Sequence, residues 1–138
     1  MADQLVETTR ALFEHFSRRD TGALLELCDP GVEFLPITAM VAAEGEPYRG
    51  HDGISRYVAD VARVWEELVV DPTEFHRSGE DTVVAIGRVY AWGVGRVIDA
   101  PVGWLWRFGP DGKAVYGRVY ESRADALAAA GLPAQPSS

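Results

Sequence analysis

Cysteine is almost missing from this chain: Cys28 is the only one among 138 residues. A lone thiol excludes an internal disulfide and any metal site built from several thiolates. Positive charge is also scarce. Thirteen Lys and Arg stand against 21 Asp and Glu, a formal charge of −8, and no basic run interrupts that balance. An acidic surface is repelled by phosphate backbones and anionic bilayers, so no nucleic acid and no membrane is expected as a partner. No stretch approaches the ~20 apolar residues of a membrane span, and the first ten residues lack a signal-type apolar segment. A soluble, cytoplasmic protein is expected. Catalytic signatures are missing too, with no nucleophile elbow, phosphate-binding glycine loop or dinucleotide fingerprint. Gly93-Val94-Gly95 lies between two strand-like runs with no helix after it. No His and carboxylate share a helical metal-ligand spacing, so no metal and no cofactor is expected.

What is present is ordinary globular material: 47% hydrophobic and 25% charged residues, in a length that suits one domain burying roughly 68% of its unfolded surface. Residues 4–19 read as an amphipathic helix, with Leu5, Val6, Leu12, Phe13 and Phe16 on one side and Asp3 as its cap. A short helix over Thr21–Cys28 follows, stopped by Asp29-Pro30-Gly31, and Val32–Ile37 reads as a strand. Residues 38–51 have no clean period and read as a loop. A long helix then starts at Gly50-His51-Asp52-Gly53, with Asp52 as cap. Ile54, Tyr57, Val58, Val61, Val64, Trp65 and Leu68 line one of its sides. Ser122 with Asp125 opens a closing helix that Gly131 and Pro133 end, and residues 133–138 are expected to be a disordered tail.

Between the long and closing helices lie four strand-like runs, 69–77, 82–94, 97–108 and 113–121, joined by plausible hairpin connections. A straight strand over 82–94 would span roughly 43 Å, so bends are expected, at Gly87, Gly93 or Gly103. Turns at Gly95-Arg96 and Pro110-Asp111 would set Trp104 between Gly87 and Gly117, and Trp106 between Ala85 and Val115. One sheet face then carries Val83, Ala85, Gly87, Val89, Ala91, Val102, Trp104, Trp106, Phe108, Val115, Gly117, Val119 and Glu121. The helices, with apolar stripes to cover, belong on that face. The opposite face mixes Arg88, Tyr90, Trp92, Tyr116, Arg118 and Tyr120, a composition enriched at protein interfaces, and predicts a homodimer through it.

The covered face predicts an apolar pocket lined by Phe16, Phe34, Tyr48, Tyr57, Val61, Val89, Trp104, Trp106 and Val119. Glu121 is its ionisable candidate, since a desolvated carboxylate is suited to proton transfer near neutrality; ending its strand in water is the plain alternative. His76 joins that face only if the connection over 78–81 has even length, and a one-residue slip reverses it. His51 is read as part of the turn before the long helix. Tyr57 and Tyr48 offer hydroxyls, and the two indoles serve either as core or as a platform for an apolar ligand.

The element order, Tyr48-Arg49-Gly50-His51-Asp52-Gly53-Ile54 at the long helix, and Arg118–Leu127 running on to Gly131-Leu132 resemble the nuclear transport factor 2-like superfamily, in its SnoaL-like, polyketide-cyclase branch. The resemblance implies an α+β fold: a cone-shaped, curved antiparallel sheet wrapped by three to four helices, as one domain over residues 1–132. It implies a small, mostly apolar ligand and a function that ranges from cofactor-independent isomerase or cyclase to a non-catalytic binding or dimeric accessory module. The ketosteroid-isomerase branch has an Asp base where Phe34 follows Val32-Glu33, a proton-donating Asp near Trp104 and a Tyr near Leu12, so its three polar roles fall on apolar residues here. The epoxide-hydrolase branch needs an Asp–Arg–Asp set inside the pocket, whereas Arg88, Arg107 and Arg118 belong to the opposite face.

Overall fold

The computed structural model describes residues 3–36, 47–93 and 95–133. The elements are α1 (Gln4–Ser17), α2 (Thr21–Glu26), β1 (Cys28–Leu35), β2 (Tyr48–Arg49), α3 (Gly50–Val64), β3 (Glu67–Ser78), β4 (Thr82–Gly93), β5 (Arg96–Phe108), β6 (Ala114–Tyr120) and α4 (Arg123–Ala129). They form an α+β fold with one curved, unclosed sheet in the order β2-β1-β6-β5-β4-β3. The sheet is mixed, because β1 runs parallel to β6 while every other pair is antiparallel. The strand end at Ile37, the loop from 38 to 46 and the tail beyond 133 lie outside the described residues.

The caps follow from side-chain chemistry. Asp3 Oδ1 accepts from the N–H of Leu5 at 3.0 Å and of Val6 at 3.4 Å, while Arg77 Nη1 donates to both Asp3 oxygens at 3.1 Å. Ser122 Oγ accepts from the Asp125 N–H at the start of α4. At the other end Gly131, with φ 75°, lets the Leu132 N–H reach back to Leu127 O at 2.9 Å. Of the boundaries that differ from expectation, three bear on the site. α2 stops at Glu26, so Cys28 opens β1. α3 ends at Val64: Trp65 and Leu68 are both buried, but as the cap residue and as part of β3. Asp52 sits in the first turn of α3, where its charge suits the helix dipole, and Arg49 holds the cap position without a side-chain capping bond.

The two indoles face the layer formed by α1, α2 and α3, as the alternation required. The registers differ by one pleat from those expected. Trp104 lies between Ala85 and Val119, and Trp106 between Val83 and Gly117. Gly93 pairs with Arg96, so the first turn is centred one residue earlier, next to Gly95 at φ 76°. In the second, the Gly109 N–H donates to Lys113 O and Gly112 adopts φ 79°, which adds a residue to the connection. The resulting irregularity beside Phe108 puts Ala114 in the core and leaves Val115 half-buried, a correction to the expected face. Gly117 is the residue a ring covers: a Cβ there would fall 2.4 Å from Trp106 Cζ3.

The helices do not all share one face. α4 lies on the opposite side of the sheet, where Ala126 and Leu127 join Val84, Ile86 and Leu105 in a second, smaller core. Gly103 makes that docking possible, since a Cβ there would come within 2.3 Å of the Ala126 Cβ. The Arg–Tyr face is therefore divided. Tyr116 and Tyr120 pack against the α4 cluster, while Tyr90 and Trp92 stay bare at 42% and 41% exposure.

Candidate functional site

The large core lies between the concave sheet face and α1, α2 and α3. Its centre is aromatic. Phe13 meets Trp104 edge-on at 4.8 Å, Phe34 stacks on Trp106 at 5.5 Å, and Tyr57 contacts both Phe34 and Phe16. Such pairs are directional as well as apolar, and flat rings that meet edge-on leave gaps that aliphatic chains would fill. Here the gap is a cavity with about 50 Å³ open to the centres of water-sized molecules. That is room for roughly four waters and about a third of the ~150 Å³ of a cavity that takes benzene, so a one-ring guest has to push the wall side chains apart.

Of the expected lining residues, Phe16, Phe34, Tyr57, Trp104 and Trp106 border the cavity. Val61, Val89 and Val119 are buried in the same core without bordering it. Tyr48 is also buried, and its hydroxyl donates to Asp60 Oδ2 at 2.7 Å rather than toward the cavity wall. Asp60 in turn pairs with Arg63 at 3.0 Å. Burial and the Asp60 charge push the Tyr48 pKa up to about 12, so this phenol is a donor and not a base at neutral pH. Burial, with a smaller contribution from Tyr48, raises the Tyr57 pKa as well.

The wall also includes Leu12, Phe13, Leu24, Cys28, Ile54 and Val70. Leu12, Phe13 and Ile54 stood on helix stripes already identified, so their periodicity carried the signal. Cys28 and Val70 gave none, because their orientation depends on strand ends that only packing settles. Burial pushes the Cys28 thiol up to about 11, which keeps it protonated and unreactive. Outside the cavity, an open groove between α1 and β3 shares Phe13 and Val70 with it, and Arg10, Glu14 and Arg18 rim that groove.

The titratable candidates lie elsewhere. Glu121 follows the last residue of β6 and is exposed. Ser78 pairs with Thr82, so three residues join β3 to β4 and the even-length condition for His76 fails. His76 pairs with Val84, on the α4 side of the sheet, and its Nε2 lies 3.4 Å from Glu74 Oε2. Glu74 is also held by Arg123 of α4, and this bond lowers its pKa. His51 Nε2 bonds the Cys28 carbonyl at 2.9 Å, tying the start of α3 to β1. Beside it Gly50, at φ 72°, and Gly53, packed on the Tyr48 backbone, explain the sequence motif as a fold element. Among the described residues no group of His, Cys, Asp and Glu is arranged to hold a metal, and no helix is long and apolar enough to cross a membrane.

Comparison with known proteins agrees with this architecture. A nuclear transport factor 2-like protein of unknown function from Burkholderia pseudomallei K96243 is 25% identical, with a TM-score of 0.77 over 92% of this chain and 97% of that one. TerC, solved with polyporic acid, is 26% identical, with a TM-score of 0.76 over 87% and 92%. A protein of ketosteroid isomerase-like fold from Catenulispora acidiphila DSM 44928, solved in complex with trimethylamine, is 22% identical, with a TM-score of 0.70 over 96% and 98%. No curated protein matches the chain. The SnoaL-like domain model matches residues 9–117, most of the chain, so this protein belongs to the SnoaL-like domain family.

Proposed function

We propose that this SnoaL-like domain binds a small, mostly apolar molecule in the cavity between its helices and the concave sheet face. The observation that carries the reading is the wall itself. Among the described residues eleven border the cavity, and none of them is a carboxylate, a histidine, a lysine or an arginine. Desolvating an apolar guest there gains roughly 25 cal/mol per Å² without stranding a charge. The likeness to TerC, solved with polyporic acid, supports a cyclic organic molecule as the occupant. A cofactor-independent isomerase or cyclase keeps Glu121 and His76 as its proton carriers. Neither borders the wall, so binding is the better supported of the two.

The volume makes the reading testable. Toluene, one ring in size, is expected to shift the indole N–H resonances of Trp104 and Trp106 in a titration followed by two-dimensional NMR, leaving exposed Trp92 unmoved. Mass analysis of small molecules that copurify with the protein then defines the natural class. A saturating titration that moves neither core indole, with nothing copurifying, removes the pocket from the account.

The bare part of the second face supports a homodimer. Val69, Tyr90, Trp92 and Val97 are 45%, 42%, 41% and 69% exposed. They are neighbours, because Val69 pairs with Tyr90 and Trp92 with Val97. Arg88 beside them is paired with Asp99 at 2.9 Å, so burying this strip would not leave a lone charge. Of the six residues expected at the interface, Arg88, Tyr90 and Trp92 belong to this strip; Tyr116, Arg118 and Tyr120 lie toward α4. Trp92→Glu is expected to weaken self-association at least about tenfold in sedimentation equilibrium, the effect of a charge at an aromatic hot spot. A wild-type protein that sediments as a monomer at every attainable concentration rejects the dimer.

A further inference from the structure

Arg19 is the one non-glycine residue with positive φ among the described residues, at 54°. It holds the C′ position of α1, where its N–H reaches Phe16 O at 3.0 Å and the Asp20 N–H reaches His15 O at 2.9 Å, a left-handed helix end that glycine usually fills. Its side chain turns back over the core. Nη1 donates to Phe16 O at 2.5 Å and Nη2 to Leu68 O at 3.1 Å, while the guanidinium carbon sits 4.6 Å from the centre of the Phe16 ring. Phe16 is a wall residue of the cavity, and its other neighbour is the wall residue Tyr57, stacked at 5.7 Å. Two backbone carbonyls use two of the five guanidinium N–H groups. No carboxylate among the described residues pairs with Arg19, although the chain carries 21 of them and eight ion pairs form elsewhere.

The polar atoms of the wall point to the same chemistry. Trp106 Nε1, in a residue 8% exposed, has no hydrogen-bond partner among the described residues. A buried N–H without an acceptor is costly in an empty site and useful to a guest that brings one. Among the described residues the Tyr57 hydroxyl also lacks a protein partner, while Tyr48 already donates to Asp60. The wall thus holds an indole donor and a phenol, with a positive charge just behind Phe16 and no acid to neutralise it.

We propose that the guest is an anion: a one-ring apolar body whose carboxylate, phenolate or enolate oxygen is held at the Arg19–Tyr57 end of the cavity. This rests on the reading of the cavity as a binding site and narrows its ligand class. Two further effects agree with it. Burial lowers the pKa of Arg19, the mark of a cation short of compensating charge, and the Arg19 charge acts to lower the Tyr57 pKa against the burial that raises it. An anionic oxygen would supply the missing compensation.

Benzoate and benzamide, nearly equal in shape, separate the claims. Benzoate is expected to bind about tenfold more tightly, the worth of one charge-assisted hydrogen bond, with both compounds shifting the Trp106 indole N–H in NMR titrations. Arg19→Gln is expected to abolish the ratio, and Arg19→Lys to retain part of it. An Arg19 that only staples α1 to β3 would lower stability in Arg19→Gln and leave the ratio unmoved. Equal affinities in the wild-type protein overturn the anion while the cavity stands, whatever the variants do. Failure of both compounds to bind removes the cavity and the anion together.

Discussion

Gly87→Ala is expected to lower stability by about 3 kcal/mol or more, the top of the usual range for overpacked interiors. The added Cβ would lie 2.0 Å from Asp71 O and 2.7 Å from Pro72 Cα. Both are backbone atoms, so no rotamer change relieves the clash. β3 and β4 would have to part where their ladder is already irregular, between Pro72 and Glu74. That irregularity shifts the alternation of β3, so that Val70 before it and Phe75 after it both pack against the main core. In a domain with about 5–15 kcal/mol in hand, the loss is a large fraction of the whole. Denaturant midpoints for both proteins give the answer. A variant as stable as wild type would mean that the two strands are further apart here than described.

Trp104→Ala is expected to cost about 3–5 kcal/mol, as large-to-small changes of buried aromatics do. Trp104 is 4% exposed, sits between Ala85 and Val119 on the sheet, and takes the edge of Phe13 at 4.8 Å. The small neighbour at Ala85 offers nothing that could collapse into the space, so most of the cavity penalty remains. The void would merge with the existing cavity, and Phe13 would lose the partner that holds it between cavity and outer groove. A two-ring guest such as naphthalene should then bind more tightly than it does to the wild-type protein. A loss below about 1 kcal/mol, measured by urea unfolding, would show Trp104 to be peripheral to the core.

These two residues also mark how far the chain could be read before folding. Period-two alternation assigned Trp104 and Trp106 to the covered face, because a residue's face depends only on whether its position is odd or even. The partner residues followed from turn geometry instead. Gly112 in the left-handed region and the Gly109–Lys113 bond moved the second hairpin, so Gly117 came to lie under Trp106 rather than Trp104. Cap chemistry at Asp3 and Ser122 was legible because it is local. The end of α3 was not: Trp65 and Leu68 continue the helical stripe, yet β3 claims Leu68 because strand pairing with Ala91 competes for it.

The site divides in the same way. Helical and strand periodicity picked out Phe16, Phe34, Tyr57, Trp104 and Trp106, five of the residues that meet around the cavity. Cys28, Val70 and the back-turned Arg19 entered only through packing, since nothing in their neighbours signals a strand's starting residue or a left-handed arginine. His76 turned to the α4 side because a three-residue connection has the opposite parity to a four-residue one. The class of fold and the apolar character of the interior follow from composition and short-range periodicity, and both could be read from the residues alone. Tertiary structure decided the strand registers, the docking of α4 on the outer face and the volume left between the rings. Those depend on contacts between residues far apart in the chain, which no local pattern encodes.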